Sequence, residues 1–400
     1  MKIAIIAPGN LPVPALDGGA VETLIDTFIS REKEKGQNTV DVYSVSYGIS
    51  RIREVSDGRI KYIQFPEKKK DDSKLLRLFC KVDPLFKYRK YVWSVCNYLK
   101  KSKYDAVIVE NRPTFIFSIA KHTEASIYLH LHNESFRAVK EFCQNVPQYC
   151  TGILAVSNYI KRVVEENMAN ANNVKVLHNG IETSKFRKET DLNKRRNVRK
   201  KYNIEENEIV LCYTGRFIPE KGVLEVVKAF SKLNDLNHIV LLIIGSSWFG
   251  TNQKSEYVEE VEKEAIRCRN KIIFTGYVKN EEVALIESVC DIAVLPSLWN
   301  DPLPLTIIEA MASGLPVITT CAGGIPEMCT SDTGILLKRG ENLPDKIERS
   351  IRDLIDDEAL REKMGKSARS RVEQYFTVDT YYDNFIRILQ DTISEDKNGK

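Results

Sequence analysis

The chain has 400 residues, of which 43% are hydrophobic and 28% charged, with a formal net charge of +4. This length exceeds one ordinary core and predicts two domains of about 180 residues each, and the composition excludes a low-complexity or disordered chain. No apolar run approaches the ~18 residues of a membrane span. The nine cysteines lack disulfide and zinc spacing, so we expect reduced thiols in a cytoplasmic protein.

The first half of the chain alternates short β-rich runs with helical patterns, which is typical of a parallel α/β sheet. Strands are predicted at 3–7, 40–45, 60–65, 106–110, 126–132, 153–157 and 174–178. Gly18 and Gly19 lie between the first strand and the first helix, where paired glycines allow a ligand to approach the backbone. A plain turn is the alternative. The run is not G-x-G-x-x-G, so a nicotinamide site is not supported.

Positive charge is concentrated in the segment 68–103, which holds twelve Lys or Arg residues against three Asp, a net charge of +9. Six aromatic residues are interleaved with it: Phe79, Phe86, Tyr88, Tyr91, Trp93 and Tyr98. Such a segment suits an anionic membrane surface; the alternative is a solvated helix that covers the sheet with its aromatic side. We expect no nucleic acid, because no RNA- or DNA-binding motif accompanies the charge.

Two histidines, His130 and His132, stand at the end of the strand predicted at 126–132 and share one face of it. Open α/β sheets bind ligands beyond the carboxyl ends of their strands, which makes His132 a candidate ligand-binding residue. A hydrogen-bonded histidine pair without a catalytic part is the alternative. No third metal ligand is apparent from the spacing, so a metal site is not expected.

A charged, apolar-poor stretch predicts a linker over 186–205, between a first domain of residues 1–185 and a second of residues 206–375. The second domain opens with a predicted strand that is followed by Arg216 and Lys221. Two cations five residues apart after a strand can bind one anion, and a guanidinium gives bidentate contacts to phosphate. Plain surface charges are the alternative. A glycine follows Lys221, which excludes a Walker A loop.

Later strands are predicted at 239–245, 272–276, 292–295 and 316–320, with a short helix over 306–313. The start of this helix suits a phosphate, because a helix N-terminus has free N–H groups and a positive dipole end. Asp301 and Glu309 flank it with seven residues between them, and both can accept hydrogen bonds from sugar or ribose hydroxyls. The alternative is an acid near an N-cap and another on a solvated face.

The segment 291–327 resembles the E-x7-E region of retaining GT-B glycosyltransferases of family 4. The matching residues are Glu309, Ala310, Met311, Ala312, Gly314, Pro316, Val317, Gly323, Gly324 and Glu327. Asp301 stands where the family usually has its first glutamate, and Pro304 where it usually has glycine. A G-R-x-x-x-x-K-G run at 215–222 and an N-G-I-E turn at 179–182 also match. The resemblance extends across most of the chain.

This resemblance implies the GT-B fold, an α/β architecture of two facing Rossmann-like domains with parallel sheets and a cleft between them. In that fold the final helix, here 376–394, completes the first domain. The resemblance also implies that Arg216, Lys221 and the N–H groups of Leu305 and Thr306 hold the donor diphosphate.

The remaining site residues follow from the same resemblance. Glu309 is expected to bind the ribose and Asp301 the transferred sugar, while Tyr277 and Val278 border the nucleotide base. Residues of the first domain complete the set: Gly18 and Gly19 lie beside the diphosphate and the acceptor, and His132 contacts the transferred sugar. The catalytic set is thus His132, Asp301, Arg216 and Lys221.

The implied function is a retaining, metal-independent hexosyltransferase that uses a nucleotide-diphosphate sugar, with UDP as the expected nucleotide. No D-x-D stands at a strand end, so neither a metal nor another cofactor is expected. The expected acceptor is a saccharide or polyprenyl-diphosphate saccharide of a capsule, exopolysaccharide or spore coat, reached from the inner face of the cell membrane through 68–103. The alternatives are a GT-B nucleotide-sugar epimerase and a non-catalytic sugar-nucleotide-binding subunit, which the departures at Asp301 and Pro304 keep open.

Overall fold

A computed structural model describes residues 1–15, 19–67, 83, 85–245 and 255–398, without the side chains of 280, 281 and 393–398. The chain divides into two compact units. The first unit comprises Met1–Gly180 together with Val378–Lys400, and the second comprises Ile181–Thr377. The sequence-based boundaries place the change of domain a few residues later than this division.

The first unit is built on an eight-stranded sheet with the order β3-β4-β2-β1-β5-β6-β7-β8. Its strands are β1 Lys2–Ile6, β2 Thr39–Tyr47, β3 Arg53–Asp57, β4 Ile60–Glu67, β5 Ala106–Glu110, β6 Ser126–Leu131, β7 Gly152–Ala155 and β8 Val174–Val176. All neighbouring pairs are parallel except β3 with β4. The sequence did not predict β3, because all five of its residues are exposed and carry no apolar alternation.

The second unit has a six-stranded sheet with the order β11-β10-β9-β12-β13-β14 and parallel pairing throughout these strands. The strands are β9 Ile209–Thr214, β10 Ile239–Ile244, β11 Lys271–Gly276, β12 Ile292–Leu295, β13 Val317–Thr320 and β14 Gly334–Leu337. The second sheet is thus parallel in all its pairs, and the first sheet, apart from the edge strand β3, has the parallel form that the alternating pattern of the first half predicts.

Helices cover the sheets and supply the rest of the core. They are α1 Ala20–Lys35, α2 Arg89–Leu99, α3 Ile116–Ile119, α4 Lys140–Cys143, α5 Asn158–Asn167, α6 Leu192–Lys201, α7 Val223–Phe230, α8 Glu256–Ala265, α9 Asn280–Glu287, α10 Leu305–Ala312, α11 Ile325–Met328, α12 Leu343–Asp356, α13 Glu358–Tyr375 and α14 Val378–Asn398. None of the described helices is long and apolar enough to span a membrane.

The last helix, α14, packs against α1 in the first unit. The ring of Phe28 lies 5.4 Å from that of Tyr382 and 5.0 Å from that of Phe385, measured between centroids. The Tyr382 hydroxyl also donates to the buried carboxylate of Glu32 at 2.6 Å. Aromatic burial and a charge-assisted hydrogen bond thus attach the C-terminal helix to the first unit.

The predicted linker over 186–205 is wrong, because this stretch belongs to the second unit and contains helix α6. Arg199 of this helix is 3% exposed, and its guanidinium donates to the carbonyls of Glu205 and Glu208, the latter at 2.6 Å. Val198 is buried beside it in sequence. The charged composition did not indicate a helix. A buried arginine that donates to backbone carbonyls cannot be recognised as a core position from the sequence.

Candidate functional site

Two loops at the carboxyl end of the second sheet carry the predicted cations and acids. β9 and β12 are neighbours in the sheet, so the segments that follow them leave from the same edge. The N–H of Leu298 donates to the carbonyl of Glu220 at 2.8 Å, which ties the two loops together. Gly222 has φ +68, and a Cβ there would lie 3.2 Å from the carbonyl oxygen of Pro296. The positive φ and the tight contact therefore both favour glycine at this position.

Lys221 and Asp301, 80 residues apart in the chain, form an ion pair between these loops. The side chain of Asp301 is 7% exposed and that of Lys221 is 22% exposed. The Lys221 ammonium also lies 5.9 Å from the centroid of the Trp299 ring. A carboxylate and an ammonium are thus both held at the sheet edge. An anion that binds there can replace Asp301 as the partner of Lys221.

The Asp301 loop is fixed from behind by the glycine turn that follows β13. The N–H of Gly324 donates to the Asp301 carbonyl at 2.8 Å. Gly323 has φ +58, and a Cβ there would overlap that same carbonyl oxygen. The G-G pair that the sequence singles out therefore sets the position of Asp301 through its backbone.

Helix α10 begins beside this ion pair without a cap. Pro304 precedes it and makes no side-chain cap, and the first turn contains no acidic residue. A narrow cavity brings Lys221, Asp301, Pro304 and Thr306 together at its start. Since the first N–H groups of a helix have no partner within the helix, Leu305 and Thr306 present donors and a positive dipole end there. This arrangement can bind an anionic oxygen.

Arg216 and Glu309 belong to the same edge but do not line this narrow cavity. Arg216 is exposed just after β9, and within the described part of the chain its guanidinium has no carboxylate partner. Glu309 lies half-buried on α10 rather than on a solvated face. Burial raises its pKa to about 7.

Behind Glu309 lies a second carboxyl group, Glu287 of α9, which is fully buried. The Thr214 hydroxyl donates to it at 2.8 Å and the Ser313 hydroxyl at 3.5 Å. Burial, with the charge of Glu309 adding to it, raises the pKa of Glu287 to about 8. The site thus holds two acids whose raised pKa values disfavour ionisation. Glu287 was not among the residues predicted from the sequence.

Tyr277 and Val278 follow β11, an edge strand separated from β9 by β10. Tyr277 is 50% exposed, and Val278 is partly buried. Their residue positions are therefore at the carboxyl edge of the sheet but two strands away from Arg216.

In the first unit, His132 follows β6 and its Nε2 lies 2.7 Å from a carboxylate oxygen of Glu110. His130 reaches the same oxygen through Nδ1 at 3.1 Å. Gly19 precedes α1 with φ +102, a conformation that favours glycine. Gly18 lies outside the described residues.

The structure supplies the third possible metal ligand that the sequence did not reveal. Glu110 stands on β5, directly opposite His130 of β6 in the parallel register. The ligand atoms of Glu110, His130 and His132 all lie within 4.8 Å of one another. The sequence contained a weak signal for this, because Glu110 is an acid at the end of an otherwise apolar strand.

Comparison with solved structures defines the fold. The crystal structure of Anabaena Alr3699/HepE in complex with UDP and glucose superimposes with a TM-score of 0.73, covering 98% of this chain and 99% of that one at 19% sequence identity. Two parallel α/β units of this kind make the GT-B fold.

Comparison of sequences defines the family. The family model for glycosyl transferases group 1 matches residues 194–371. The protein named "Putative glycosyltransferase YtcC" of Bacillus subtilis (strain 168) is 31% identical over 386 residues, which are 94% of this chain and 89% of that protein. "Spore coat protein SA" of the same organism is 27% identical, over 98% of this chain and 99% of its own length. The chain belongs to the glycosyltransferases group 1, family 4 of the GT-B glycosyltransferases.

Proposed function

We propose that this glycosyltransferase moves a sugar from a UDP-sugar to a saccharide or lipid-linked saccharide, without a metal and with retention of the anomeric configuration. The observation that carries the proposal is the Lys221–Asp301 pair at the uncapped start of α10, with the guanidinium of Arg216 following the adjacent strand. One relative in fold, Anabaena Alr3699/HepE, is known in complex with UDP and glucose, which supports UDP as the nucleotide.

The diphosphate is bound by cations and backbone donors. Arg216, Lys221 and the N–H groups of Leu305 and Thr306 supply positive charge to its oxygens. When the bond from the sugar to the diphosphate breaks, negative charge grows on the leaving group. The same donors then stabilise the transition state more than the ground state.

Carboxylates recognise the hydroxyl groups of the donor. Glu309 accepts hydrogen bonds from the ribose, and Asp301 accepts them from the transferred sugar once Lys221 turns to phosphate. An aspartate at this position reaches about one methylene less far than the glutamate usual in the family, so a different sugar preference is expected. Pro304 has no N–H and contributes no donor to the ligand. Tyr277 and Val278 border the base. Gly19 is assigned to the diphosphate and the acceptor, and His132 to the transferred sugar.

Retention is attributed to attack by the acceptor hydroxyl on the face from which the diphosphate departs. Asp301, the acid nearest the proposed sugar position, is assigned to hydrogen bonds with the sugar hydroxyls, so the proposed mechanism uses no covalent nucleophile of the protein. The departing diphosphate oxygen takes the proton of the acceptor hydroxyl while the new bond from oxygen to the anomeric carbon forms.

The acceptor is proposed to belong to a surface polysaccharide and to be attached to the membrane. In helix α2, Trp93 is 68% exposed, and Phe86 just before the helix is 40% exposed. Arg89 and Lys90 are exposed nearby. Aromatic rings beside cations favour the interface of an anionic membrane. Residues 68–82 and 84, which hold much of the basic segment, lie outside the described residues.

A panel of UDP-, GDP- and ADP-sugars tests the proposal, with thermal shift and nucleotide release measured with and without EDTA. The expected result is stabilisation and slow release of nucleotide with one UDP-sugar, unchanged by EDTA. Activity lost in EDTA would contradict the metal-independent mechanism. No response to any nucleotide sugar would overturn the proposed activity.

The same panel separates the alternative functions. Donor converted to an isomeric nucleotide sugar without any acceptor would identify an epimerase. Donor binding without release, transfer or isomerisation in the presence of saccharide and lipid-linked acceptors would identify a non-catalytic binding subunit.

A further inference from the structure

Arg339 stands in the loop after β14 and reaches the loop that carries Asp301. Its Nη1 donates to the Leu298 carbonyl at 3.0 Å, and its Nη2 donates to the side-chain oxygen of Asn300 at 2.6 Å. The Asp301 loop follows β12, and β13 lies between β12 and β14 in the sheet. A single side chain therefore joins two loops that follow strands separated by a third.

The two contacts of Arg339 fall on either side of Trp299. The Trp299 carbonyl accepts the N–H of Asp301 at 3.0 Å and the hydroxyl of Ser297 at 3.2 Å, so the loop closes on itself at this residue. The ammonium of Lys221 lies 5.9 Å from the centroid of the Trp299 ring. Holding the residues before and after Trp299 thus holds the backbone that leads into Asp301.

The other contacts that hold this loop are made by backbone groups and one short hydroxyl. The Thr320 hydroxyl, at the end of β13, bonds both the N–H and the carbonyl of Ser297, at 2.9 Å and 2.7 Å. Bonds between backbone groups tie Leu298 and Asp301 to the neighbouring loops. In the described part of the chain, the Asn300 side chain is bonded by Arg339 alone. Arg339 therefore supplies the contact at the residue directly before Asp301.

An arginine suits these two acceptors, because its guanidinium directs N–H donors from two nitrogens in a rigid plane. A lysine has one ammonium on a flexible chain and cannot reproduce this pair of directed bonds. Bonds from a charged donor are also roughly twice as strong as bonds between neutral groups. Arg339 is exposed, but both of its acceptors belong to partly buried residues, Leu298 and Asn300.

The position of Asp301 depends more on its backbone once a donor is bound. In this structure its carboxylate pairs with Lys221, and the proposed diphosphate takes Lys221 away. We propose that Arg339 is a positioning residue that holds the 298–301 loop, so that Asp301 stays directed at the transferred sugar after Lys221 has turned to phosphate. This inference rests on the proposed function and adds a residue outside the segment 291–327.

Hydrogen exchange of the full chain without ligand tests the structural part. The peptide that contains residues 296–304 is compared in the unsubstituted protein, Arg339→Ala and Arg339→Lys. Loss of both bonds in Arg339→Ala should raise the exchange rate of the amides in 297–301 by about tenfold. Arg339→Lys keeps the charge and can make one of the two bonds, so its exchange rate should lie between those of the other two proteins.

Calorimetric titration with UDP and with the UDP-sugar that the panel selects tests the functional part. Asp301 is assigned to the sugar and not to the diphosphate. Arg339→Ala should therefore weaken binding of the UDP-sugar by about tenfold and change UDP affinity by less than about twofold. In a double-mutant cycle with Asn300→Ala, the two losses should not add, because both substitutions remove the same contact.

Arg352→Ala is the matched control, because the Arg352 guanidinium also joins separate segments of the second unit, through the Asp235 carboxylate and the Lys232 carbonyl. It should change neither exchange in 296–304 nor affinity for the UDP-sugar.

Unchanged exchange in Arg339→Ala, unchanged affinity for the UDP-sugar or additive losses in the cycle would overturn the proposal. An equal loss of UDP and UDP-sugar affinity would also overturn it, by assigning Arg339 to the diphosphate. The exchange measurement needs no nucleotide, so a failure of the proposed function leaves it readable.

Discussion

At the scale of single residues, Asp301 and Pro304 are the departures from the usual family pattern, and the structure gives each a local role. Asp301 pairs with Lys221 and lies almost fully buried. Pro304 precedes α10 with φ −69, the angle that its ring fixes, so the helix can begin directly after it. Pro304 has the angle that the start of the helix needs, and Asp301 is held by its ion pair, so we expect an altered sugar preference rather than a damaged site.

Glu287 gives a prediction about pH. Its pKa is raised from 4.5 to about 8, so the native state keeps a proton that the unfolded chain loses. Stability from this group is therefore lost as pH rises from about 4.5 to 8. Glu287→Gln cannot ionise and should gain about 3–4 kcal/mol over the unsubstituted protein between pH 5 and pH 8, measured by urea unfolding.

The control for this change is Glu341→Gln, at an exposed position. Its effect on unfolding should be the same at both pH values. A Glu287→Gln effect that does not change with pH would contradict an unfavourable buried charge at this position.

At the scale of elements, we predict that the backbone of the glycine turn after β13 sets the position of the Asp301 loop and so affects donor binding. Gly323→Ala should move the Asp301 loop, because the new Cβ would overlap the Asp301 carbonyl oxygen. We expect a loss of at least about 2 kcal/mol in the free energy of unfolding and weaker donor binding. Urea unfolding and calorimetric titration with the donor measure the two effects.

Gly314→Ala is the matched control, since Gly314 has φ +76 and a Cβ there would meet nothing within 4 Å. It should cost only the backbone strain of about 1–2 kcal/mol and leave donor affinity unchanged. Equal effects of the two substitutions on donor binding would show that the turn does not position Asp301.

Helix α2 carries the prediction about membranes. Trp93→Ala should reduce binding to phosphatidylglycerol vesicles by about tenfold, because an exposed indole enters the interface readily. Leu192→Ala, at a side chain 67% exposed on α6, should leave binding unchanged. Sedimentation with vesicles measures both, and phosphatidylcholine vesicles show the part due to charge. Equal binding of both variants would contradict a contact between α2 and the membrane surface.

At the scale of the whole molecule, each unit places its candidate chemistry at the carboxyl ends of a parallel sheet. Glu110 ends β5 and His132 follows its neighbour β6 in the first sheet, and Arg216 and Asp301 follow neighbouring strands of the second. Parallel strands bring residues that are distant in sequence to one edge, which explains how the site is assembled from short separate motifs.

The sequence predicts what is local and misses what depends on strand order. The apolar strands and the start of α10 could be read directly, because their signals lie within a few residues. The pairing of Lys221 with Asp301 across 80 residues could not, nor could the contact of Glu110 with His132. Both depend on which strands are neighbours. Buried acids such as Glu287 are indistinguishable in sequence from solvated ones.

The most direct test of the account is calorimetric titration of the UDP-sugar into the unsubstituted protein, Arg216→Ala and Arg267→Ala. Arg267 is a matched arginine whose side chain is 75% exposed beside Glu264. Loss of charge-assisted bonds to phosphate should weaken binding to Arg216→Ala by about 10- to 100-fold, while Arg267→Ala should bind like the unsubstituted protein. Equal affinity for all three proteins would contradict a donor diphosphate held at this edge of the second unit.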